Sequence, residues 1–578
     1  MIDDLYGAAQ RWVNDDPDDE TRQAGQQILD SQNQATIRAH FAQRLSFGTA
    51  GLRGEIGPGP NRMNRALVRR VTAAVGRHLV ERVAAAQQRG IVVGYDGRHL
   101  SDLFAHDAVS ILGGLGFQVY LFDRVIPTPR LAHAVRDLNA SGGIMVTASH
   151  NPPQDNGYKV FWEDSAQIVP PHDVAISTQI DQITTISEFE FVDHESLRLR
   201  GQLRDVPSEV HAHYFDEISA LRTYDGPASA RIVYSAMHGV GDDSVRHALS
   251  SHGYHQVFSV PEQSAPDPDF PTVQFPNPEE PGAMDYAQAL GREKRADVVL
   301  ANDPDADRLC AALPNQSGGF DLLTGNEVGI LMANELLASG RYTRDPLVVT
   351  TIVSTRLLSR LASQYGAQYF ETLTGFKWIA HKAIQHAHQG GEFVMGFEEA
   401  LGYSVGPVVR DKDGISAALI FADIVSRCKN EGHSVWHELE KIYRTHGYHC
   451  TAQRSFKYAG EAGRSQINAI MDRLRADPPA IIGGARVVRY RDLAVSKAWT
   501  SPDQLVETLE LPPSNVLAYE LESGSQILVR PSGTEPKIKF YFEIRERCEK
   551  EDTFDDFKRR GEEKLNALAT QFIADLNL

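Results

Sequence analysis

The chain has 578 residues, too many for one hydrophobic core, so three to five domains of roughly 150 residues are expected. It is 42% hydrophobic and 23% charged, which excludes a disordered or fibrous protein. Fifty-eight Lys and Arg against 76 Asp and Glu give a net charge of −18, which disfavours nucleic acid and anionic membranes and obliges any phosphate site to gather its own positive charge.

Four cysteines, Cys310, Cys428, Cys450 and Cys548, fall at long irregular spacings, which predicts free thiols rather than a zinc ribbon or disulfide framework. The acidic start Met1-Ile2-Asp3-Asp4-Leu5 is not a signal peptide, and no apolar run is long enough to span a bilayer. A cytoplasmic protein is expected.

The stretch to about Arg44 is polar and predicted helical. A glycine-rich loop follows, Phe47-Gly48-Thr49-Ala50-Gly51-Leu52-Arg53-Gly54. From Asn64 to Gly90, Leu67, Val68, Val71, Val75, Leu79 and Val83 recur at helical spacing, with Asn64 as N-cap and Gly90 as C-cap. Ile91-Val92-Val93 reads as a strand, Ser101 to Gly113 as a helix and Val119-Tyr120-Leu121 as a strand. This alternation predicts an α/β domain with a mostly parallel sheet. It recurs around the strands Arg231–Tyr234 and Asp297–Leu300, with a Pro-rich loop from Pro261 to Pro281, and again around Leu347–Thr350 and Phe393–Met395. The end differs. Gln526–Val529 and Ile538–Ile544 flank a short Pro/Gly loop, and Ile538, Phe540, Phe542 and Ile544 alternate as in a half-buried antiparallel strand. The expected fold class is therefore α/β: three similar mixed α/β domains (1–207, 208–322, 323–447) and a C-terminal α+β domain (448–578).

Four loops carry candidate chemistry. Thr147-Ala148-Ser149-His150-Asn151-Pro152 follows the strand Ile144-Met145-Val146, where α/β sheets place ligands, and Lys159 lies a little further on. A plain turn is the alternative for so short a Ser-His pair. Asn302-Asp303-Pro304-Asp305-Ala306-Asp307-Arg308 sets three carboxylates at every second residue, which share a side if the loop is near-extended. A hard divalent ion would relieve their repulsion, and Arg308 could meet a phosphate; a solvated acidic loop is the alternative, and the downstream Gly and Glu of an EF-hand are absent. Gly396-Phe397-Glu398-Glu399-Ala400 offers carboxylates to sugar hydroxyls or, alternatively, starts a helix; Arg410-Asp411-Lys412-Asp413-Gly414 mixes cations with a turn. Arg530-Pro531-Ser532-Gly533-Thr534-Glu535-Pro536-Lys537 reads as a phosphate cradle or a hairpin turn. His433 and His437, four apart, lack the H-E-x-x-H arrangement and are read as one face of an ordinary helix.

Together and in this order, these four loops resemble the α-D-phosphohexomutase family of phosphoglucomutases and phosphomannomutases, from about Phe47 to Tyr541. Gly375-Phe376-Lys377-Trp378 and Gly396–Glu399 look closest to the branch of bacterial phosphoglucomutases and eukaryotic phosphopentomutases. The resemblance implies four domains around a central cleft and a transferable phosphoryl group on Ser149. It implies Mg2+ at Asp303, Asp305 and Asp307 together with that phosphoserine, and sugar hydroxyls held by Glu398. Arg530, Ser532, Gly533 and Thr534 would grip the non-reacting phosphate, with Arg53, Lys159, Arg308 and Lys412 near the reacting groups. Lys159 and His150 are the candidate proton carriers. The implied activity interconverts glucose 1-phosphate and glucose 6-phosphate, with glucose 1,6-bisphosphate as intermediate and activator. Mannose or pentose phosphates are alternative substrates; a sugar-bisphosphate synthase and a non-catalytic sugar-phosphate-binding protein are alternatives of another class. One departure stands out: Ala400 occupies the place where many relatives carry a serine hydroxyl.

Overall fold

The computed structural model describes residues 2–48, 51–458, 460–501, 504–532 and 537–576. Two units make up the chain, Met1–Ser339 with Gly375–Gly432, and Gly340–Thr374 with His433–Leu578.

In the first unit, the polar N-terminus forms three helices, Ile2–Asp15, Asp19–Asp30 and Gln34–Phe41, capped where Asp18 and Asn33 accept backbone N–H groups. They share a small core of Ala9, Val13, Leu29, Ile37 and Phe41. The helix expected from Asn64 to Gly90 is two: Arg65–Arg82, capped by Asn64 at its start, and Ala86–Arg89, ended by Gly90. The break falls where Val83 turns extended and buries its side chain in the domain core while Ala85 takes a positive φ.

The first sheet runs Leu52–Glu55, Asp155–Phe161, Gly142–Val146, Ile91–Tyr95, Val119–Leu121, Leu203–Asp205 from edge to edge. Its last four strands are parallel, and Asp155–Phe161 is antiparallel to Gly142–Val146. The parallel strands Ile91–Tyr95 and Gly142–Val146 are covered on both faces, which explains their unbroken apolar character. The second sheet repeats the plan, with Cys310–Pro314 antiparallel to Val298–Ala301, itself parallel to Ile232–Ser235 and so to Val257–Ser259. The antiparallel hairpin of Glu392–Glu398 with Gly402–Val405 also belongs to this unit.

In the second unit, Pro346–Thr351 pairs in parallel with Gln368–Thr372. The C-terminal domain is an antiparallel sheet around Tyr448–Lys457, Lys537–Glu546, Gln526–Pro531 and Leu517–Leu521. The strand Lys537–Glu546 was expected half-buried; instead both its faces are covered. Ile538, Phe540 and Phe542 are buried on one side, and Tyr541 and Glu543 on the other. Glu543 is sheltered because it accepts from Thr355 Oγ1 at 2.7 Å and the Arg356 N–H at 2.9 Å and sits 3.0 Å from His449 Nδ1. His433 precedes its helix rather than lying on it, since Ser434 caps Val435–His446. All four cysteines are free thiols. Among the described residues, no helix is long and apolar enough to cross a membrane.

Candidate active site

Ser149 leaves the C-terminal end of Gly142–Val146 with φ at +53°, a left-handed conformation that L-residues adopt only when their surroundings impose it. The constraint is Arg98. Its buried guanidinium donates to the carbonyls of Ser149 (2.6 Å), Pro152 (2.8 Å), Asp155 (3.1 Å) and Asn151. Asp96 lies 3.5 Å from that guanidinium and accepts from Ser101 Oγ, so the turn Asp96-Gly97-Arg98 is a built anchor. Arg98 was not singled out from the sequence; its D-G-R turn at a strand's C-terminal end was the available signal.

The acidic loop comes to Ser149 from the second sheet. Ser149 Oγ donates to Asp303 Oδ2 at 2.7 Å and lies 3.1 Å from His150 Nδ1. The loop is a turn, not the near-extended segment expected, and Ala306 has φ +55°. The three carboxylates converge because the chain bends back, with Asn302 donating to the Arg308 carbonyl and accepting from Tyr234 OH at 2.6 Å. Nor is it solvated: Asp303, Asp305 and Asp307 are all 0% exposed.

Such a cluster survives burial only with cations beside it. Lys159 Nζ donates to Asp305 at 2.6 Å and Asp307 at 2.8 Å. Lys412 Nζ lies 3.1 Å from Asp307 and 3.2 Å from Asp411. Thr128 Oγ1 donates to Asp305 at 2.6 Å, a contact with no signal in the sequence. Arg308 gives its N–H to Asp303 at 3.1 Å, and its guanidinium lies about as near Asp303 as Asp307, at 3.9 and 4.0 Å. Arg53 donates to Asn151 Oδ1 at 3.3 Å, leaving its Nε without a partner.

The charges follow from these neighbours. Burial, with Asp307 and Asp305 alongside, pushes Asp303 up to about 7. Burial also opposes ionisation of Asp307, but Lys159 and Lys412 overcome it and hold that carboxyl far below the usual range. For Lys159, burial is outweighed by Asp305 and Asp307, so it is held as an ammonium ion. Burial and the guanidinium groups of Arg308 and Arg53 push His150 well below its ordinary value, leaving a neutral imidazole. Burial lowers Arg53 as well, against the opposing pull of Asp305 and Asp307.

The donor set suits a metal. Oxygens of Asp303, Asp305 and Asp307 lie within 4.8 Å of one another, and Asp305 Oδ1 and Asp307 Oδ1 are buried without a hydrogen-bond partner. Three carboxylates with convergent oxygens, and two buried oxygens among them left without a hydrogen bond, fit a hard divalent cation.

Glu398 ends a strand rather than starting a helix, and accepts from the Gly375 N–H at 2.8 Å; Gly375 has φ +117°, a value only glycine adopts readily. Burial raises the Glu398 carboxyl to about 7. The hairpin meets the acidic loop where Leu309 N–H donates to the Leu401 carbonyl at 3.0 Å. A side chain at Gly402 would collide with the Lys412 methylenes, so glycine there lets Lys412 lie against the hairpin. Ala400 lies in the connecting turn. Arg530 and Ser532 belong to the second unit: Arg530 pairs with Lys539 across an antiparallel ladder, and Ser532 N–H donates to the Lys537 carbonyl at 2.7 Å, so the strands on either side of the loop are paired. Gly533 and Thr534 lie outside the described residues.

Four segments match the domains of phosphoglucomutase/phosphomannomutase: α/β/α domain I over residues 44–187, domain II over 212–318, domain III over 324–445 and the C-terminal domain over 468–560. A "Probable phosphoribomutase" of Schizosaccharomyces pombe is 35% identical, covering 98% of this chain and 97% of that one. A phosphoglucomutase of Staphylococcus haemolyticus is 35% identical over 89% of this chain and 93% of its own. In fold, the chain is similar to a phosphoglucomutase/phosphomannomutase family protein of Burkholderia thailandensis, with TM-score 0.64 and 19% identity, over 91% of this chain and 97% of that one. With all four domains present in order and identity of this size along nearly the whole length, the chain belongs to the phosphoglucomutase/phosphomannomutase family and is a phosphosugar mutase.

Proposed function

We propose that this mutase interconverts glucose 1-phosphate and glucose 6-phosphate through a phosphorylated Ser149, with glucose 1,6-bisphosphate as the intermediate. The observation that carries the reading is the Ser149 Oγ, 2.7 Å from Asp303, on a loop that Arg98 pins in a left-handed turn. Asp303, Asp305 and Asp307 would hold Mg2+, which when bound offsets phosphoryl charge and polarises the phosphorus.

Phosphoryl transfer depends on positioning and charge stabilisation. A phosphoserine carries about −1.5 to −2 charges at neutral pH, and Arg308, Arg53, Lys159 and Lys412 supply the positive field for it. In the first half-reaction the Oγ–P bond of phosphoserine 149 breaks as a substrate hydroxyl oxygen bonds to phosphorus. The hydroxyl proton passes to a base. In the second, the other phosphate of the bisphosphate returns to Ser149 Oγ, and the base returns a proton to the departing sugar oxygen. Two groups serve as that base. His150 is neutral, with Nδ1 3.1 Å from Oγ. Lys159 must first lose a proton to serve as a base, because Asp305 and Asp307 hold it as a cation. Glu398 takes sugar hydroxyls, and Arg530, Ser532, Gly533 and Thr534 take the non-reacting phosphate.

A second reading, a pentose-phosphate mutase by the same steps, is favoured by the name of the S. pombe relative and by Ala400, which removes one hydroxyl from the sugar loop. The ratio of kcat/KM for α-glucose 1-phosphate to that for α-ribose 1-phosphate, with the bisphosphate supplied, decides between them. A ratio well above one supports glucose; a ratio well below one transfers the proposal to pentoses. Ser149 free of phosphate during turnover would overturn the mechanism for both.

A further inference from the structure

Away from the catalytic loops, two packed helices bring four metal-binding side chains together. His133 and Asp137 lie four residues apart on Thr128–Asp137, and His213 and Glu217 four apart on Ser208–Ala220, so each pair shares a helix face. The inner member is His133. Its side chain is 0% exposed, and neither ring nitrogen has a hydrogen-bond partner. A buried imidazole without partners is costly and calls for an explanation. Tyr214 meets its ring edge-on at 5.4 Å, which packs the ring without serving its nitrogens. His133 Nε2 points at Glu217 Oε1, 3.6 Å away, too far for a hydrogen bond. Nitrogen and oxygen ligand atoms of His133, Asp137 and Glu217 all lie within 4.8 Å of one another.

We propose that His133, Asp137 and Glu217 bind one first-row divalent transition ion of the Zn2+ type, independently of the acidic triad, with water completing the coordination. An imidazole with two carboxylates suits such an ion, whereas Mg2+ prefers oxygen alone. Zn2+ bonds of about 2.0–2.2 Å hold tetrahedral ligands roughly 3.5 Å apart. The contraction needed falls on Asp137 and Glu217, whose side chains are 20% and 39% exposed and can adjust, while water enters at this rim. Arg136 already bonds Glu217 Oε2, leaving Oε1 for the ion. His213 Nδ1 lies 3.0 Å from Asp137 Oδ2 and 3.2 Å from Oδ1, so it orients Asp137 as an outer partner. Burial pushes the His133 imidazole down to about 4, which keeps it neutral, the state that binds metal. The ion would staple the two helices together, and the first of them begins at Thr128, the residue that donates to Asp305.

The test uses the full chain, stripped with a chelator and returned to excess Mg2+ so that the triad is saturated. Co2+ is then titrated by its visible absorption, and Zn2+ by displacing it. One Co2+ per chain that Mg2+ does not displace is expected. Its affinity should fall at least tenfold in Asp137→Asn/Glu217→Gln, remain in Asp305→Asn, and Zn2+ should raise Tm in the parent but not in the double variant. His133→Gln gives an independent check on the buried ligand. No Co2+ retained against Mg2+, equal affinity in the double variant, or loss confined to Asp305→Asn would each overturn the site.

Discussion

The first two sheets of the molecule place different chemistry at the same point. Four successive strands follow one plan in each, a central strand, a parallel strand on one side, another on the other and an antiparallel return: Ile91–Tyr95, Val119–Leu121, Gly142–Val146, Asp155–Phe161 in one, and Ile232–Ser235, Val257–Ser259, Val298–Ala301, Cys310–Pro314 in the other. The Ser149 loop and the Asp303 loop both lie between the last parallel strand and the antiparallel one. Each carries a left-handed residue, Ser149 and Ala306. They differ in what holds them. The first is pinned by a guanidinium bonding to its carbonyls; the second is held through its own carboxylates by Lys159 and Thr128 of the first domain. The scaffold supplies the position, and the side chains decide whether it presents a nucleophile or a cation site.

This contrast can be broken from either side. Ser149→Ala should reduce turnover by at least about 1000-fold while the fold persists, read by coupled assay and circular dichroism; near-normal turnover would remove Ser149 from the mechanism. Asp305→Asn removes the carboxylate charge and one of its two oxygens, and about a 100-fold loss of kcat with weaker Mg2+ dependence is expected. Arg98→Lys keeps the charge but not the fork that spans several carbonyls. It should lower kcat about tenfold or more and reduce stability by about 2–4 kcal/mol, measured by urea unfolding. Thr128→Val should cost less than Arg98→Lys on both counts, because Lys159 still holds Asp305.

The smallest effect concerns pH. Burial holds the Glu398 carboxyl at about 7 in the substrate-free protein, above the ordinary glutamate value near 4.5. The folded state therefore binds more protons than the unfolded one in that window, and stability should fall as pH rises from about 4.5 to about 7, by at most about 3 kcal/mol. Glu398→Gln should reduce that slope and leave the part due to Asp303, which burial also holds at about 7; an unchanged slope would remove Glu398 from it.

Apolar periodicity placed the strands Ile91–Tyr95, Val119–Leu121 and Gly142–Val146 within a residue or two, because both-face burial demands an unbroken apolar run. The loops were legible for a related reason: serine, aspartate triplets and glycines at strand ends are costly unless used. The helix break at Val83 was not legible, because Val83 continues the helical period and only the core it enters turns it aside. Nor was the coverage of Glu543, whose partners Thr355 and His449 are nearly 190 and 94 residues distant.

The sequence by itself determined the family, the alternation of strands and helices and the identity of the reactive loops, since these rest on local patterns and short strings. Only the tertiary structure decided that the three aspartates converge through a turn, that Arg98 and Thr128 support the two loops, that Lys159 is locked as a cation, and that His133 is buried without a hydrogen-bond partner. Those properties depend on desolvation and on charges brought together from different domains, and neither is encoded in any one stretch of chain.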